Sequence, residues 1–250
     1  MIALDDSKPR TGERLFEFID GLTGQERQVM KSMMSGQITG FFDDSNEIVL
    51  PDDERAEQFH TLAEMLRVLT PHHSTIPPNG IAYYGRPAWA TADVIAALQV
   101  EAEKRRHAPL DRTDHYLGCG GQVADALSVS PELVDFVGEH VGGVVATGIA
   151  SYLYYDRAGT GIRPHVDTDV FSVNLMLMLR HDCGDHVEPS STVVFPARRE
   201  PERYRLQVGE VMIMHGSSVI HTRTVVDASE VVHLLTIGFN PARNGERTPA

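Results

Sequence analysis

The residues best placed to do chemistry lie in a polar turn that runs directly into a long apolar segment. Residues 163–179 read RPHVDTDVFSVNLMLML, which places His165 and Asp167 two positions apart. On an extended chain such side chains project to the same side, so an imidazole nitrogen and a carboxylate oxygen can meet at one point. The pair can therefore supply two ligands to one metal ion.

A second histidine suited to the same ion lies later in the chain. His221 is in SSVIHTRTVV, whose β-branched residues indicate a strand. Two histidines and one carboxylate on one face of an ion leave the opposite positions open, as in non-haem iron(II) sites that bind a co-substrate and oxygen. A structural zinc site would instead be closed by four protein ligands.

The spacing alone is weak support for a metal site, because the chain has 12 histidines and such pairs arise by chance. The surrounding sequence is more specific. The pair follows the turn GTGIRP and precedes an apolar strand, and a later histidine lies on another strand, as a barrel would require. Together these features predict that His165, Asp167 and His221 bind a metal.

Composition and charge limit the partners. The chain of 250 residues has 35 acidic and 22 basic residues and a formal net charge of −13, which disfavours nucleic acid and anionic membranes. Cys119 and Cys183 have no metal-type or disulfide-type spacing, and no run approaches the roughly 20 apolar residues of a membrane span. We expect a cytoplasmic protein with a small-molecule partner, and a homodimer is compatible with the sequence.

The elements that must position these residues differ between two parts of the chain. Residues 1–143 are predicted to be mainly helical and to support the rest. Their helices should lie behind Thr11, over DDERAEQFHTLAEMLRVL, and after the N-caps Thr91 and Ser130. Residues 144–242 contain short β-branched and aromatic runs separated by turns, which is typical of a strand-rich fold.

The strand-rich part has the strand number of a barrel. Seven runs are VVATGIASYLYY, FSVNLMLMLRH, STVVFP, RYRLQV, EVMIMH, SVIHTRTVV and VVHLLTIGFN, and a short strand at His165 would make eight. Eight short strands are typical of a barrel or jelly roll, where a ligand can lie between two sheets. We predict one α+β domain over residues 1–250, with helices packed on a barrel.

Three segments resemble the iron(II)- and 2-oxoglutarate-dependent oxygenases: SYLYYDRAGTGIRPHVDTDVFSVNLMLML, VGEVMIMHGSSVIHTRTVV and LLTIGF. The resemblance implies a double-stranded β-helix in which His165, Asp167 and His221 hold Fe(II), with 2-oxoglutarate and O2 as co-substrates. A closer likeness to hydroxylases of free amino acids, and to their halogenase relatives, implies an amino-acid substrate and a biosynthetic role. His215 has the same parity as His221, so it is an alternative for the third ligand. We prefer His221 because the GSS turn, which resembles the turn of the family, precedes it.

Asp167 bears on the type of reaction. In the halogenases that the chain resembles, a small residue replaces this carboxylate and leaves a position for chloride, so its presence favours hydroxylation. Desaturation and ring formation would use the same ligands and stay open.

The sequence departs from the family at the arginine that usually binds the far carboxylate of 2-oxoglutarate. Residues 230–234, where it is expected, read EVVHL. Arg223 shares the parity of His221, so it should point into the barrel and could grip that carboxylate with two hydrogen bonds. The alternative is an exposed strand arginine. Further candidates for binding the co-substrate are Asn174, Tyr152 and Thr236.

Fewer residues in the sequence point to the binding site of the organic substrate. The loop IPPNGIAYYGRPAWATADV contains aromatic and cationic residues that could close over the site: Tyr84, Arg86 and Trp89. Arg86 could hold a substrate carboxylate and Asp169 a substrate ammonium. The alternative is that the aromatic residues of this loop simply pack against the barrel.

Two other classes of protein could use the same residues. A cupin-like metalloenzyme that needs no 2-oxoglutarate predicts no carboxylate-binding arginine inside the barrel. A non-catalytic binding module predicts that His165 and Asp167 tolerate replacement by alanine.

Overall fold

The computed structural model describes residues 17–42, 53–70, 73–107, 110–112, 115–184 and 188–242. The α-helices with defined bounds are α1 (Gly24–Ser35), α2 (Asp53–Val68), α3 (Ala92–Arg106), α4 (Gln122–Ser128) and α5 (Pro131–Val141). The strands are β1 (Ile81–Gly85), β2 (Leu110–Asp111), β3 (Tyr116–Cys119), β4 (Val144–Tyr155), β5 (Ile162–His165), β6 (Val173–Asp182), β7 (Thr192–Phe195), β8 (Glu202–Tyr204), β9 (Val211–Met214), β10 (Ile220–Arg223) and β11 (Val231–Pro241).

Within the described ranges, the strands form two antiparallel sheets that face each other. The larger sheet has the order β1-β9-β6-β11-β4-β3-β2, and the smaller has the order β5-β10-β7-β8. From β4 to β11 the chain passes repeatedly from one sheet to the other, so the two sheets wind together as a double-stranded β-helix. The predicted α+β fold with a jelly-roll core is confirmed.

Strand alternation divides the apolar side chains into layers. Between the sheets, Met176 and Leu234 of the larger sheet pack with Val194 of the smaller sheet. On the outer face of the larger sheet, Leu177 and Ile237 pack against the helices α3 and α5. The larger sheet is therefore buried on both faces, and its inner face is one wall of the space between the sheets.

The smaller sheet is covered on its outer face by α2. Phe59 of this helix is buried and meets Phe195 of β7 edge to face, with 5.8 Å between the ring centroids. Phe41 and Phe42 complete the aromatic cluster at 5.6 and 5.5 Å from Phe59. Edge-to-face pairs add stabilisation beyond area burial, so this cluster anchors α2 on the sheet that carries the two histidines.

Two helix starts in the first part of the chain are as predicted, and that part also contains short strands. Thr91 and Ser130 accept hydrogen bonds as N-caps of α3 and α5. Residues 17–21 of the first predicted helix are helical, and its beginning lies outside the described residues. Residues 81–119 also supply the short strands β1, β2 and β3 to the larger sheet. No helix in the described ranges has both the length and the apolar character that a membrane span requires.

We expect Phe59→Ala to lower the free energy of unfolding by about 3–5 kcal/mol, because it removes a buried ring and leaves a cavity. Urea unfolding followed by circular dichroism measures the change. Phe18→Ala is the matched control, since Phe18 is 54% exposed and should change stability little. Equal losses in the two variants would contradict the docking of α2 through this ring.

Candidate metal centre

The register of two neighbouring strands brings the two histidines together. His165, at the end of β5, is the cross-strand partner of His221 on β10, and their ring centroids are 4.4 Å apart. Asp167 follows β5, and its backbone N–H donates to the carbonyl of Gly216 at 2.8 Å. This hydrogen bond turns the chain after β5 so that the carboxylate faces the two rings.

The three side chains offer their ligand atoms to one point. Asp167 Oδ1 lies 3.5 Å from His165 Nε2 and 3.6 Å from His221 Nε2. All three ligand atoms lie within 4.8 Å of one another, and no other cluster of this kind occurs in the part of the chain that the structure describes. Metal–ligand bonds of about 2.0–2.2 Å place neighbouring ligand atoms at such separations, so the residues fit one ion.

Hydrogen bonds fix the orientation of each ligand. The Nδ1 atoms of His165 and His221 lie 2.8 and 3.0 Å from the carbonyls of Arg163 and Val219. Because each Nδ1–H donates to a carbonyl, each Nε2 keeps its lone pair for a metal. Asn174 Nδ2 donates to Asp167 Oδ2 at 2.7 Å, which leaves Oδ1 facing the rings.

The electrostatics of the cluster favour a bound cation. Burial opposes the ionisation of Asp167, but His221 and His165 outweigh it, so the pKa of Asp167 lies well below its ordinary value. Burial favours the neutral form of His221, yet the Asp167 carboxylate raises the pKa of this ring. The mostly buried carboxylate therefore requires a positive charge beside it, which a divalent metal would supply.

Gly216, the first residue of the GSS turn, is a close neighbour of Asp167. A Cβ at this position would collide with Asp167 Oδ2 and would lie 2.9 Å from the carbonyl oxygen of Phe171. A glycine is therefore required for the turn after β9 to approach the carboxylate closely. His215, the alternative to His221, lies in this turn and is not one of the three clustered residues.

A cavity extends from the ligands into the space between the sheets, and Arg223 lies in its wall. Arg223 is only 6% exposed, and its Nη2 donates to Ser190 Oγ at 2.7 Å. Its Nε has no hydrogen-bond partner. Burial lowers the pKa of Arg223, while Tyr155, whose ring centroid lies 5.4 Å from the guanidinium, opposes this shift. A buried guanidinium with an unpaired N–H beside a metal cluster is suited to an anionic ligand.

The other candidates for the co-substrate divide between the two faces of the larger sheet. Asn174 and Thr236 line the cavity. Asn174 already donates to Asp167, but its Oδ1 is buried without a hydrogen-bond partner. Tyr152 lies on the opposite face, where its hydroxyl donates to Glu101 at 2.7 Å. The prediction for Tyr152 is wrong because strand alternation turns Leu153 and Tyr155 of β4, and not Tyr152, towards the cavity.

The predicted substrate loop is not placed over the site. Tyr84 lies on the edge strand β1, and its hydroxyl donates to the carbonyl of Arg205. Arg86 donates to the carbonyl of Val208, which lies before β9. Asp167 instead contacts Gly216, which lies after β9, so Arg86 and Asp167 contact opposite ends of this strand. Trp89 is buried against the helices, with its ring 6.0 Å from that of Phe136. These contacts agree with the packing alternative for Tyr84 and Trp89, and the pairing of β1 with β9 places Tyr84 at the edge of the larger sheet.

Asp169 lies two residues after Asp167 and contacts α1. Its carboxylate accepts from Gln28 Nε2 at 2.9 Å and lies 3.6 Å from Lys31 Nζ. Lys31, with a side chain 13% exposed, also donates to Ser217 Oγ at 2.9 Å. Burial lowers the pKa of Lys31, and Asp169 opposes this shift. The sequence reasoning assigned no role to α1, although its capping-box signature TGQE was present.

Comparison with solved structures identifies proteins that share this fold. The alpha ketoglutarate dependent epimerase SnoN from nogalamycin biosynthesis is 13% identical, with a TM-score of 0.56 over 73% of this chain and 84% of that chain. Another SnoN structure contains Fe3+, alpha ketoglutarate and nogalamycin RO. HygX from Streptomyces hygroscopicus, with nickel, 2-oxoglutarate and hygromycin B bound, is 12% identical, with a TM-score of 0.51 over 66% of this chain and 84% of that chain.

A third structure of the same fold is EctD from S. alaskensis with 2-oxoglutarate and 5-hydroxyectoine. It is 13% identical, with a TM-score of 0.51 over 72% of this chain and 82% of that chain. No protein-family model and no curated protein sequence matches the chain. At these identities the likeness establishes the double-stranded β-helix.

We expect Asn174→Ala to weaken metal binding by about 10- to 100-fold, because the carboxylate of Asp167 loses the hydrogen bond that orients it. Anaerobic titration with Co(II), followed by visible absorption, measures the dissociation constant. Gln99→Ala is the control, because this amide donates to the carbonyl of Leu179 on the helix-covered face. Unchanged Co(II) affinity in Asn174→Ala would show that this hydrogen bond does not support the ligand.

Proposed function

We propose that the chain is an Fe(II)- and 2-oxoglutarate-dependent oxygenase that hydroxylates an unactivated C–H bond of a small polar metabolite, a free amino acid or a derivative of one. One observation carries the proposal. His165, Asp167 and His221 converge at one end of a cavity that also contains the buried guanidinium of Arg223. Metal ligands and an anion-binding group in one cavity suit a co-substrate that chelates a metal and carries a second carboxylate.

The protein residues have separate tasks in the proposed reaction. Bound Fe(II) would supply the oxidative chemistry, in which R–H, O2 and 2-oxoglutarate give R–OH, succinate and CO2, with one oxygen atom in each organic product. His165, Asp167 and His221 would hold the ion. Arg223 orients the co-substrate from the far end, and the apolar residues between the sheets limit the entry of water.

The carboxylate ligand favours hydroxylation over halogenation. Asp167 would be the ligand in place of a halide, and Asn174 orients its carboxylate. Desaturation, ring formation and epimerisation need no change of ligands, so the identity of the product depends on how the substrate is placed. A cupin-like enzyme without 2-oxoglutarate would have no use for a buried arginine in the cavity, and Arg223 therefore favours the oxygenase.

The surroundings of the metal cluster suggest how a small zwitterion would bind. Lys31 and Asp169 form an ion pair on the α1 side of the cluster, next to residues that flank Asp167 and Gly216. A substrate carboxylate could take Lys31 as its partner while a substrate ammonium takes Asp169, so each charge would remain paired. This exchange supports a free amino acid or a related small molecule as the substrate.

Anaerobic addition of 2-oxoglutarate to the protein with Fe(II) tests the class of enzyme. We expect a weak visible charge-transfer band that is absent from His165→Ala and His221→Ala, since both rings are needed to hold the ion. Exposure to oxygen should then yield succinate. Metal binding without this band or succinate would favour the cupin-like alternative, and full function of both variants would favour the binding module.

We expect Arg223→Met to raise the dissociation constant of 2-oxoglutarate at least about 30-fold, because the distal carboxylate loses a buried charged partner. The same anaerobic band measures the binding. Arg180→Met is the control, because Arg180 pairs with Glu103 and Asp182 on the outside of the protein. Unchanged affinity in Arg223→Met would remove Arg223 from the co-substrate site.

A panel of free amino acids, assayed by succinate release, tests the substrate class. We expect a hit whose stimulation disappears when either its α-amino or its α-carboxyl group is removed. Lys31→Met should raise the KM for that substrate about tenfold, with an unchanged KM for 2-oxoglutarate, because one charged hydrogen bond is lost. Equal effects on both KM values would assign Lys31 a general structural role.

A further inference from the structure

A chain of buried polar groups leads away from Arg223. Ser190 Oγ accepts from Arg223 Nη2 at 2.7 Å and donates to Glu230 Oε1 at 2.6 Å. The backbone N–H of Ser190 donates to the same oxygen at 2.8 Å. His181 Nε2 also lies 2.8 Å from Glu230 Oε1. One carboxylate oxygen therefore collects three hydrogen bonds and is connected to the guanidinium through a single hydroxyl.

These groups are withdrawn from solvent, so their contacts are not an incidental surface arrangement. The side chains of Glu230 and His181 are 3% and 7% exposed, and Ser190 is buried. A carboxylate without partners is costly in such a place, and this one is compensated by its three donors and by the charge of Arg223. The four residues also come from four different segments of the chain, which only the fold brings together.

An irregularity in β6 allows His181 to join the group. Leu234 of β11 pairs with Met178, whereas His233 pairs with Arg180, so β6 has one extra residue at this point. A β-bulge of this kind reverses which side chains face each side of the sheet. His181 is thereby turned towards the space between the sheets and away from the helices.

We propose that Glu230, Ser190 and His181 are positioning residues that hold the guanidinium plane of Arg223 for the distal carboxylate of a 2-oxo diacid. The inference rests on the proposed function, and it explains how the site would prefer a 2-oxo acid that has a second carboxylate. Arg223 is anchored at Nη2 and unpaired at Nε, so the network holds the guanidinium in place while its Nε–H remains for a ligand. Two parallel hydrogen bonds to a carboxylate need such a fixed plane, since a rotated guanidinium makes only one of them.

The test compares two 2-oxo acids that chelate Fe(II) in the same way, 2-oxoglutarate and 2-oxobutyrate. Only the first has a distal carboxylate. In anaerobic Fe(II) protein, we expect Glu230→Gln and Ser190→Ala each to raise the dissociation constant of 2-oxoglutarate about tenfold, the effect of weakening one charged hydrogen bond. The dissociation constant of 2-oxobutyrate should not change. In an Arg223→Met background, Glu230→Gln should have no further effect.

Glu103→Gln is the matched control, because this carboxylate faces Arg180 and His233 on the other side of the sheet near the same bulge. It should leave the affinity for both acids unchanged. Equal weakening of both acids by Glu230→Gln, an undiminished effect in the Arg223→Met background, or unchanged affinity for 2-oxoglutarate would overturn the inference. Ser190→Ala removes only a hydroxyl, so it provides the test if Glu230→Gln does not fold. Failure of the native protein to bind 2-oxoglutarate would instead overturn the proposed function itself.

Discussion

The mostly buried carboxylate of Asp167 between two imidazoles is the interaction on which the site depends. A negative charge in this position is stable only with a positive partner, and the surrounding contacts keep it from turning away. Asn174 holds one oxygen, and the chain turn that carries the carboxylate is bonded to Gly216. The direct pairing of His165 with His221 across β5 and β10 then determines the separation of the two rings.

The smaller sheet carries most of the proposed chemistry, while the larger sheet supplies a rigid wall. His221 and Arg223 share β10, so the same alternation that turns the ligand inward also turns the guanidinium inward. An arginine in this place is buried on a central strand and needs partners from neighbouring segments. Ser190 contacts the guanidinium directly. Glu230 accepts from Ser190, and His181 contacts Glu230.

Strand and helix patterns were recoverable from the sequence where they were long, and less so where they were short. The run VVATGIASYLYY corresponds to β4 over its whole length, and Ser130 begins α5 as expected. β1 has only five residues and follows a proline-rich loop, so its sequence pattern does not separate it from that loop. The loop that was predicted to cover the site instead places Tyr84 on the edge strand and Trp89 against the helices.

Residue patterns along the chain are enough to predict the strand-rich second half, the shared direction of His165 and Asp167 and the inward direction of Arg223, because all of these follow from periodicity within single segments. Which face of β4 meets the cavity depends on how the two sheets pack and does not follow from the residue types, since Tyr152 and Tyr155 are both aromatic residues on one strand. The tertiary structure also determines the contact of Lys31 with Asp169 and the buried group around Glu230. Such contacts join segments that are distant in sequence, and local patterns carry no information about which distant segments will meet.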